Sequence, residues 1–208
     1  MNTKKILFAT TNTNKVQRIK NLISDTGINL LTLKDLDFEI EEPIETGKSV
    51  VEIAKNTAIY YYKKIDGLYG VLAQDDGMDF FGNVESNEDP GSCIKASVVD
   101  RYGVFNIENA IKYYSNLAKK YGGEIDFAFR YGHAYIDKMG VKTDSSILFA
   151  KLVDTPYKIE QVGKYPLRAL TKIKIGDNYK YSADMTLQEG IYSDNDLKRA
   201  LKQVLRGV

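Results

Sequence analysis

Two polar segments of this chain carry the residue types that handle phosphate and its counter-ions. The first is Ala9-Thr10-Thr11-Asn12-Thr13-Asn14-Lys15, between the apolar run Ile6–Ala9 and a stretch with helical spacing. A Thr/Asn-rich turn that opens a helix gathers backbone N–H groups, hydroxyls, amides and one ammonium. The orphan donors and the helix dipole both favour negative charge there. Thr10, Asn12, Asn14 and Lys15 are therefore candidate phosphate-binding residues. The glycines of a Walker loop or a dinucleotide fingerprint are absent, so neither motif applies. Without a ligand, the same residues make an ordinary polar loop, with Thr13 or Asn14 as the helix cap. The second segment, Gln74-Asp75-Asp76-Gly77, follows the apolar run Tyr69–Ala73. Its carboxylates suit Mg²⁺, a hard cation that takes oxygen ligands and bridges to substrate phosphates. An Asp beside such a metal can orient or deprotonate a water for attack on phosphorus. Taken alone, Asp-Asp-Gly is turn chemistry. An acidic connector, Asp35 to Glu45, adds one more carboxylate, Glu45, just before the next helix.

The elements that must position these groups follow from periodicity. Ile6–Ala9 reads as a short buried strand, and Lys15 to about Ser24 as a helix with Val16, Ile19, Leu22 and Ile23 on one face. Gly27 ends it, and Asn29–Leu33 forms a second strand. Ser49 with Glu52 three residues on is a capping box, opening a helix to about Lys64. Tyr69–Ala73 is a third strand that runs into the Asp-Asp-Gly turn, and alternation resumes at Met78–Phe81. Gly82 to Gly91 is a loop, and Asn106 to Tyr121 a helix stopped by Gly122-Gly123. Asp126–Asp137 and Thr143–Val153 make a long hairpin turning at Lys138-Met139-Gly140. Leu170–Ile175 and Asn178–Ser182 add strand, and a helix from Asp194 to Arg206 closes the chain. The order begins β-α-β-α-β and ends in hairpins and a helix, which defines an α/β protein with a mixed sheet. Ligands of such sheets gather at the carboxyl ends of parallel strands, so both polar segments are expected to face one pocket.

Composition narrows the class. The chain has 208 residues, which suits one domain over residues 1–208 and a sizeable core. Lys and Arg total 29 against 28 acidic residues, a balance that argues against a general binder of nucleic-acid polymers. The single cysteine, Cys93, cannot form an internal disulfide. The only histidine, His133, falls in an alternating run and is expected to pack in a strand. Met1-Asn2-Thr3-Lys4-Lys5 leads into too few apolar residues for a signal peptide, and no run approaches a membrane span. A soluble cytoplasmic protein is the expectation.

Five blocks then fall in order: Thr10-x-Asn12-x-x-Lys15, Glu45 before Gly47, Glu52-Ile53-Ala54-Lys55-Asn56-x-Ala58, Ala73-Gln74-Asp75-Asp76-Gly77-Met78, and Pro90-Gly91-x-x-Ile94-Lys95. Together they resemble the inosine-triphosphate pyrophosphatase family, which removes deaminated purine nucleotides. The similarity is good over roughly residues 5–95 and returns at Ala183–Glu189. It implies an elongated mixed sheet with two lobes around a central cleft, and a homodimer. It also implies Mg²⁺-dependent hydrolysis of a nucleoside triphosphate to monophosphate and pyrophosphate. Carried onto this chain, the resemblance gives Asn12 and Lys15 to the phosphates and Glu45 to the metal, with Glu42 in reserve. Asp75 binds metal or activates water, Gly77 lets the backbone approach, and Lys95 lies near the substrate. Tyr165 and Ser193 stand where the base pocket would be.

Four departures from the family pattern bear on function. Gln74 replaces an acidic residue, and Asp76 replaces a usual Ser. Thr57 stands where a Lys is expected, with Lys55 as the nearest substitute. Ser193-Asp194-Asn195 aligns with the family's Ser-His-Arg, and its Phe-Gly-aromatic-Asp-Pro motif is absent, with Lys164-Tyr165-Pro166-Leu167-Arg168 the nearest remnant. Inosine specificity therefore does not transfer, because a site built for one base depends on its buried polar groups. The competing expectations are a nucleotide-binding relative without catalysis, acting as sensor or partner, and a different phosphohydrolase that releases orthophosphate.

Overall fold

The computed structural model describes residues 4–163 and 165–208. Met1–Thr3, at the head of the segment read for a signal peptide, and Lys164, in the remnant base-pocket motif, lie outside the described residues. Seven strands form one sheet in the order β2-β1-β3-β4-β5-β6-β7. They are β1 (Lys5–Phe8), β2 (Asn29–Thr32), β3 (Gly70–Phe80), β4 (Glu124–Asp137), β5 (Gly140–Val153), β6 (Thr171–Ile175) and β7 (Asn178–Tyr181). The helices are α1 (Thr13–Leu22), α2 (Val50–Lys64), α3 (Ile94–Tyr102), α4 (Ile107–Lys120), α5 (Leu187–Ser193) and α6 (Asn195–Val204). β1 pairs in parallel with both β2 and β3, whereas β6 runs antiparallel to β5 and β7, so the sheet is mixed as expected.

The chain divides into two compact units. The first comprises Met1–Asp76, Tyr131–Ser146 and Asp194–Val208; the second comprises Gly77–Arg130 and Ile147–Ser193. In the first unit, Leu7, Ala9, Val71 and Ala73 bury against Ala54, Ala58 and Tyr61 of α2. The small Ala54 and Ala58 sit one helical turn apart, which lets α2 lie close to the strands. Its start lies directly against β4: a Cβ at Gly132 would stand 2.2 Å from the Val50 carbonyl oxygen. The expected cap is present, with Ser49 Oγ accepting from the Glu52 amide at 3.2 Å and Glu52 reaching back to the Lys48 amide at 2.7 Å. In the second unit, Ala110, Ile111, Tyr114, Leu117 and Ala118 form the buried stripe of α4 against Phe80, Phe127 and Leu152.

One expectation about the strands is corrected. Gln74-Asp75-Asp76-Gly77 is not a turn at a strand end but the middle of the eleven-residue β3. Strand pairing overrides the local turn chemistry: β3 runs on past the last β1 partner, Leu72, with β4 as its neighbour on the other side. A second correction concerns the helix start. Asn12, not Thr13 or Asn14, caps α1, its Oδ1 accepting from the amides of Asn14 at 3.0 Å and Lys15 at 3.3 Å. α3 and α5 complete the set of helices and carry no strong periodic signal in the sequence.

Candidate functional site

The register of β1 on β3 assembles the first half of the site. Phe8 stands opposite Leu72, and the Ala9 amide donates to the Leu72 carbonyl at 2.8 Å. β1 ends there while β3 continues. The turn Thr10–Asn12 and the first turn of α1 therefore lie at the place where Gln74, Asp75 and Asp76 emerge. Thr10 Oγ1 accepts from the Asn12 amide at 3.2 Å and stiffens the turn. Lys15, on the first turn of α1, forms an ion pair with Asp76. The two polar segments thus meet within the first unit, although Asp75 and Asp76 are not at a strand end.

Successive residues of a strand face opposite sides of the sheet. Asp75 follows the parity of Val71 and Ala73, which pack on α2, and Asp76 follows that of Leu72 on the other side. The two carboxylates still act on one another across this division. The Asp75 carboxyl is pushed up to about 7, first by burial and then by the neighbouring charge of Asp76, with Glu45 adding to it and Lys15 opposing it. Its Oδ2 is buried with no hydrogen-bond partner. Asp76, by contrast, has its charge answered by Lys15. The substitution of Asp for the usual Ser at this position therefore adds a partner for Lys15, and its charge is already engaged.

Glu45 is exposed on the connector before α2. Asn56 holds this connector, its Nδ2 donating to the Thr46 carbonyl at 2.6 Å. Glu42, the reserve candidate, accepts from the Thr11 hydroxyl at 3.2 Å and so ties the connector to the phosphate-type turn. Lys55 is exposed on α2.

A cluster that the sequence did not reveal lies one turn further along α1. Arg18 donates from Nε and Nη2 to the two carboxylate oxygens of Asp194, at 2.7 and 2.5 Å, and from Nη2 to the Tyr131 hydroxyl at 3.4 Å. Its guanidinium also sits 4.8 Å from the Tyr131 ring centroid. Both oxygens of Asp194 are therefore occupied by arginine. Arg18 stands three residues from Lys15, the one local hint available; its partner is 176 positions away.

The remaining candidates belong to the second unit. Gly77 is a buried residue of β3, in extended rather than left-handed backbone. Lys95 is exposed on the first turn of α3, its amine 5.9 Å from the Phe105 ring centroid. Tyr165 leads into the 3-10 turn Pro166–Ala169, and Ser193 ends α5 with its hydroxyl donating to the Gly190 carbonyl at 2.9 Å. A pocket of 460 Å³ in this unit is lined by Ile107, Ile111, Lys112 and Ile159, and none of the candidate residues lines it. His133 is fully buried in β4, with Nε2 3.0 Å from Ser146 Oγ. Cys93 is free and exposed. No helix among the described residues is long and apolar enough to cross a membrane.

Fold and cluster together define an α/β protein with a polar helix-opening turn set against strand-borne carboxylates. Residues 6–120 match the Ham1 family, and the chain belongs to that family. The resemblance drawn from the five ordered blocks is thereby borne out. The chain is 40% identical over 74 residues to a dITP/XTP pyrophosphatase of Dictyoglomus thermophilum, a match covering 36% of this chain and 35% of that protein. The matched stretch is thus about a third of that relative's length. Among solved structures, a HAM1 protein from Coxiella burnetii superposes with a TM-score of 0.75 at 16% identity, covering 99% of this chain and 100% of the other. A nucleoside-triphosphatase / dITP/XTP pyrophosphatase from Mycobacterium abscessus gives 0.65 at 19% identity, covering 98% and 100%. At these identities the structural likeness establishes the fold.

Proposed function

We propose that this protein is a Mg²⁺-dependent nucleoside-triphosphate pyrophosphatase, acting on a (deoxy)nucleoside triphosphate that carries a non-standard purine or is otherwise a modified nucleotide. The observation that carries this is the unpartnered, buried Asp75 Oδ2, crowded by two further carboxylates beside a lysine-bearing helix start. Family membership supports the same chemistry. The proposal treats residues 1–208 as one functional domain, and it includes a cytoplasmic location and a homodimer.

The donor set fits Mg²⁺. No group of three or more His, Cys, Asp or Glu side chains among the described residues is arranged to hold a metal. Mg²⁺ does not need one, since it is commonly bound through one or two carboxylates plus substrate phosphates and water. Asp75 and Glu45 would hold it. When bound, the ion neutralises phosphate charge as a Lewis acid.

The chain's own groups do the rest. Lys15 takes the polyphosphate oxygens from the start of α1, and Asn12 keeps that turn closed by capping it. Asp75 orients a water and accepts its proton as the water oxygen attacks the α-phosphorus. The bond from that phosphorus to the bridging oxygen breaks, releasing pyrophosphate and a nucleoside monophosphate. Lys95, Tyr165, Ser193 and the close-approach position Gly77 are assigned to substrate binding on the strength of the family pattern. Thr10 and Asn14 belong to the phosphate turn, and Asp76 acts there through Lys15.

The test is product analysis over a panel of common and deaminated triphosphates, with and without Mg²⁺. Pyrophosphate with monophosphate, formed only in Mg²⁺, is the expected result. Orthophosphate as product would replace the proposal with another phosphohydrolase, and binding without turnover across the panel would leave a nucleotide-binding relative that has lost catalysis.

A further inference from the structure

We infer that Arg18 and Asp194 form a positioning pair that aims Lys15, by locking the rotation of α1 against the start of α6 and against β4. The inference rests on the function proposed above for Lys15, and it concerns residues to which the family pattern assigns no such role.

Three observations converge on it. The first is geometric. Arg18 and Lys15 are three residues apart, so they project from neighbouring turns on one side of α1. Any rotation of α1 about its axis moves both side chains together. The second is the quality of the contact. Both carboxylate oxygens of Asp194 accept from Arg18, at 2.7 and 2.5 Å, in the fork geometry that fixes orientation as well as distance. Tyr131 adds a third restraint, with its hydroxyl 3.4 Å from Nη2 and its ring centroid 4.8 Å from the guanidinium. Tyr131 is buried on β4 and is a rigid stop. The third is the second tie between the same helices. Lys198 and Lys202 of α6 both reach Asp25, just beyond the end of α1, at 3.3 and 2.8 Å. α1 is thus held at its middle and just beyond its end. The Asp25 tie is exposed and made by flexible lysines, so it keeps the helices together without setting their rotation.

This gives Asp194 a task unlike that of a base-reading group. Its oxygens are engaged by Arg18, and its effect on the reaction runs through the Lys15 amine. With the pair intact, Lys15 is held on Asp76, ready to meet a phosphate. With the pair broken, α1 turns by the freedom of one side chain, and Lys15 leaves Asp76 for solvent.

The experiment measures acetylation of Lys15 by an amine-reactive ester, read by mass spectrometry of the intact folded protein, alongside kcat and KM for the best triphosphate of the panel. Arg18→Lys keeps the charge but loses the fork, and Asp194→Asn keeps the shape but loses the charge. In both, Lys15 labelling is expected to rise at least fivefold. KM should rise at least fivefold with kcat lowered more modestly. The charge-exchanged double variant, Arg18→Asp with Asp194→Arg, should recover at least part of both losses. Asp25→Asn is the control: it loosens the helix pair at the distant tie and should leave Lys15 labelling within twofold of the parent.

Unchanged labelling in folded Arg18→Lys and Asp194→Asn would overturn the inference, as would an equal rise in Asp25→Asn. If the parent hydrolyses no triphosphate, the proposed function fails separately, and the labelling still decides whether the pair aims Lys15. Should Arg18→Lys fold poorly, the isosteric Asp194→Asn carries the same test.

Discussion

At the scale of single residues, the proposed chemistry rests on three side chains whose types are legible in the sequence. Lys15 and Asn12 lie at the start of α1, and Asp75 lies on β3 past the end of β1, where the proposal needs a phosphate turn and a metal carboxylate. Asp75→Asn is expected to lower kcat at least a hundredfold with the fold intact, as a steady-state assay with circular dichroism would show. The same change removes a largely buried carboxyl flanked by like charge. After discounting for its partial solvent access, the apo variant should gain about 1 kcal/mol and melt about 2–4 °C higher by calorimetry. A lower melting point would contradict the crowding that marks the site. Asp76 shows what the sequence could not reveal. Its type is plain in the sequence, but its partner, Lys15, appears only in the fold. Asp76→Ser should therefore release Lys15 from its aimed position and raise KM several-fold, and a lowered KM would show instead that Asp76 competes with phosphate for Lys15. His133 offers a prediction independent of catalysis. Burial holds its imidazole down at about 4, against an ordinary value of about 6.5. As pH falls, the unfolded chain takes up that proton first. Stability present above about pH 6.5 is therefore lost as pH falls toward 4, by about 2–3 kcal/mol. Urea denaturation at pH 7 and 4.5 should show this loss, and His133→Gln should lack that part of it.

At the scale of elements, most of the strands and helices were legible because their apolar periods are unambiguous. The Ser49 cap, the α4 stripe and the hairpin of β4 and β5 fall where spacing places them. β3 was not legible as one strand. Asp75-Asp76-Gly77 has the composition of a turn, and only its place inside the eleven-residue β3 beside β4 reveals that the backbone stays extended. That difference also changes the logic of the site. The carboxylates gain their exposure from the early end of β1, not from the end of β3. Gly132 is a further element-scale device that no sequence pattern announced. It admits the start of α2 directly onto β4, and backbone would have to move to admit even a methyl group. Gly132→Ala should cost about 1–3 kcal/mol through overpacking. Because α2 follows the Glu45 connector, the variant should also lose affinity for Mg²⁺. A thermal melt together with a Mg²⁺ titration checks both; an unchanged melting point would remove this contact from the account.

At the scale of the whole molecule, the mixed seven-stranded sheet accords with the fold of the solved HAM1 structure it superposes on. The Arg18–Asp194 pair marks the limit of the sequence at this scale. A contact across 176 positions leaves no local signal, and Asp194 was visible only as a departure from the family's Ser-His-Arg. The same departure is why the base is still to be identified by experiment. The account's central claim is that the Asn12–Lys15 turn and the β3 carboxylates grip one metal-bound polyphosphate. Calorimetric titration with a non-hydrolysable α,β-methylene triphosphate tests it most directly. The parent should bind in Mg²⁺ and at least tenfold more weakly in chelator, with Lys15→Ala and Asp75→Asn each weakening the Mg²⁺-dependent binding by a similar factor. Equal affinity in the parent and both variants, indifferent to Mg²⁺, would contradict it.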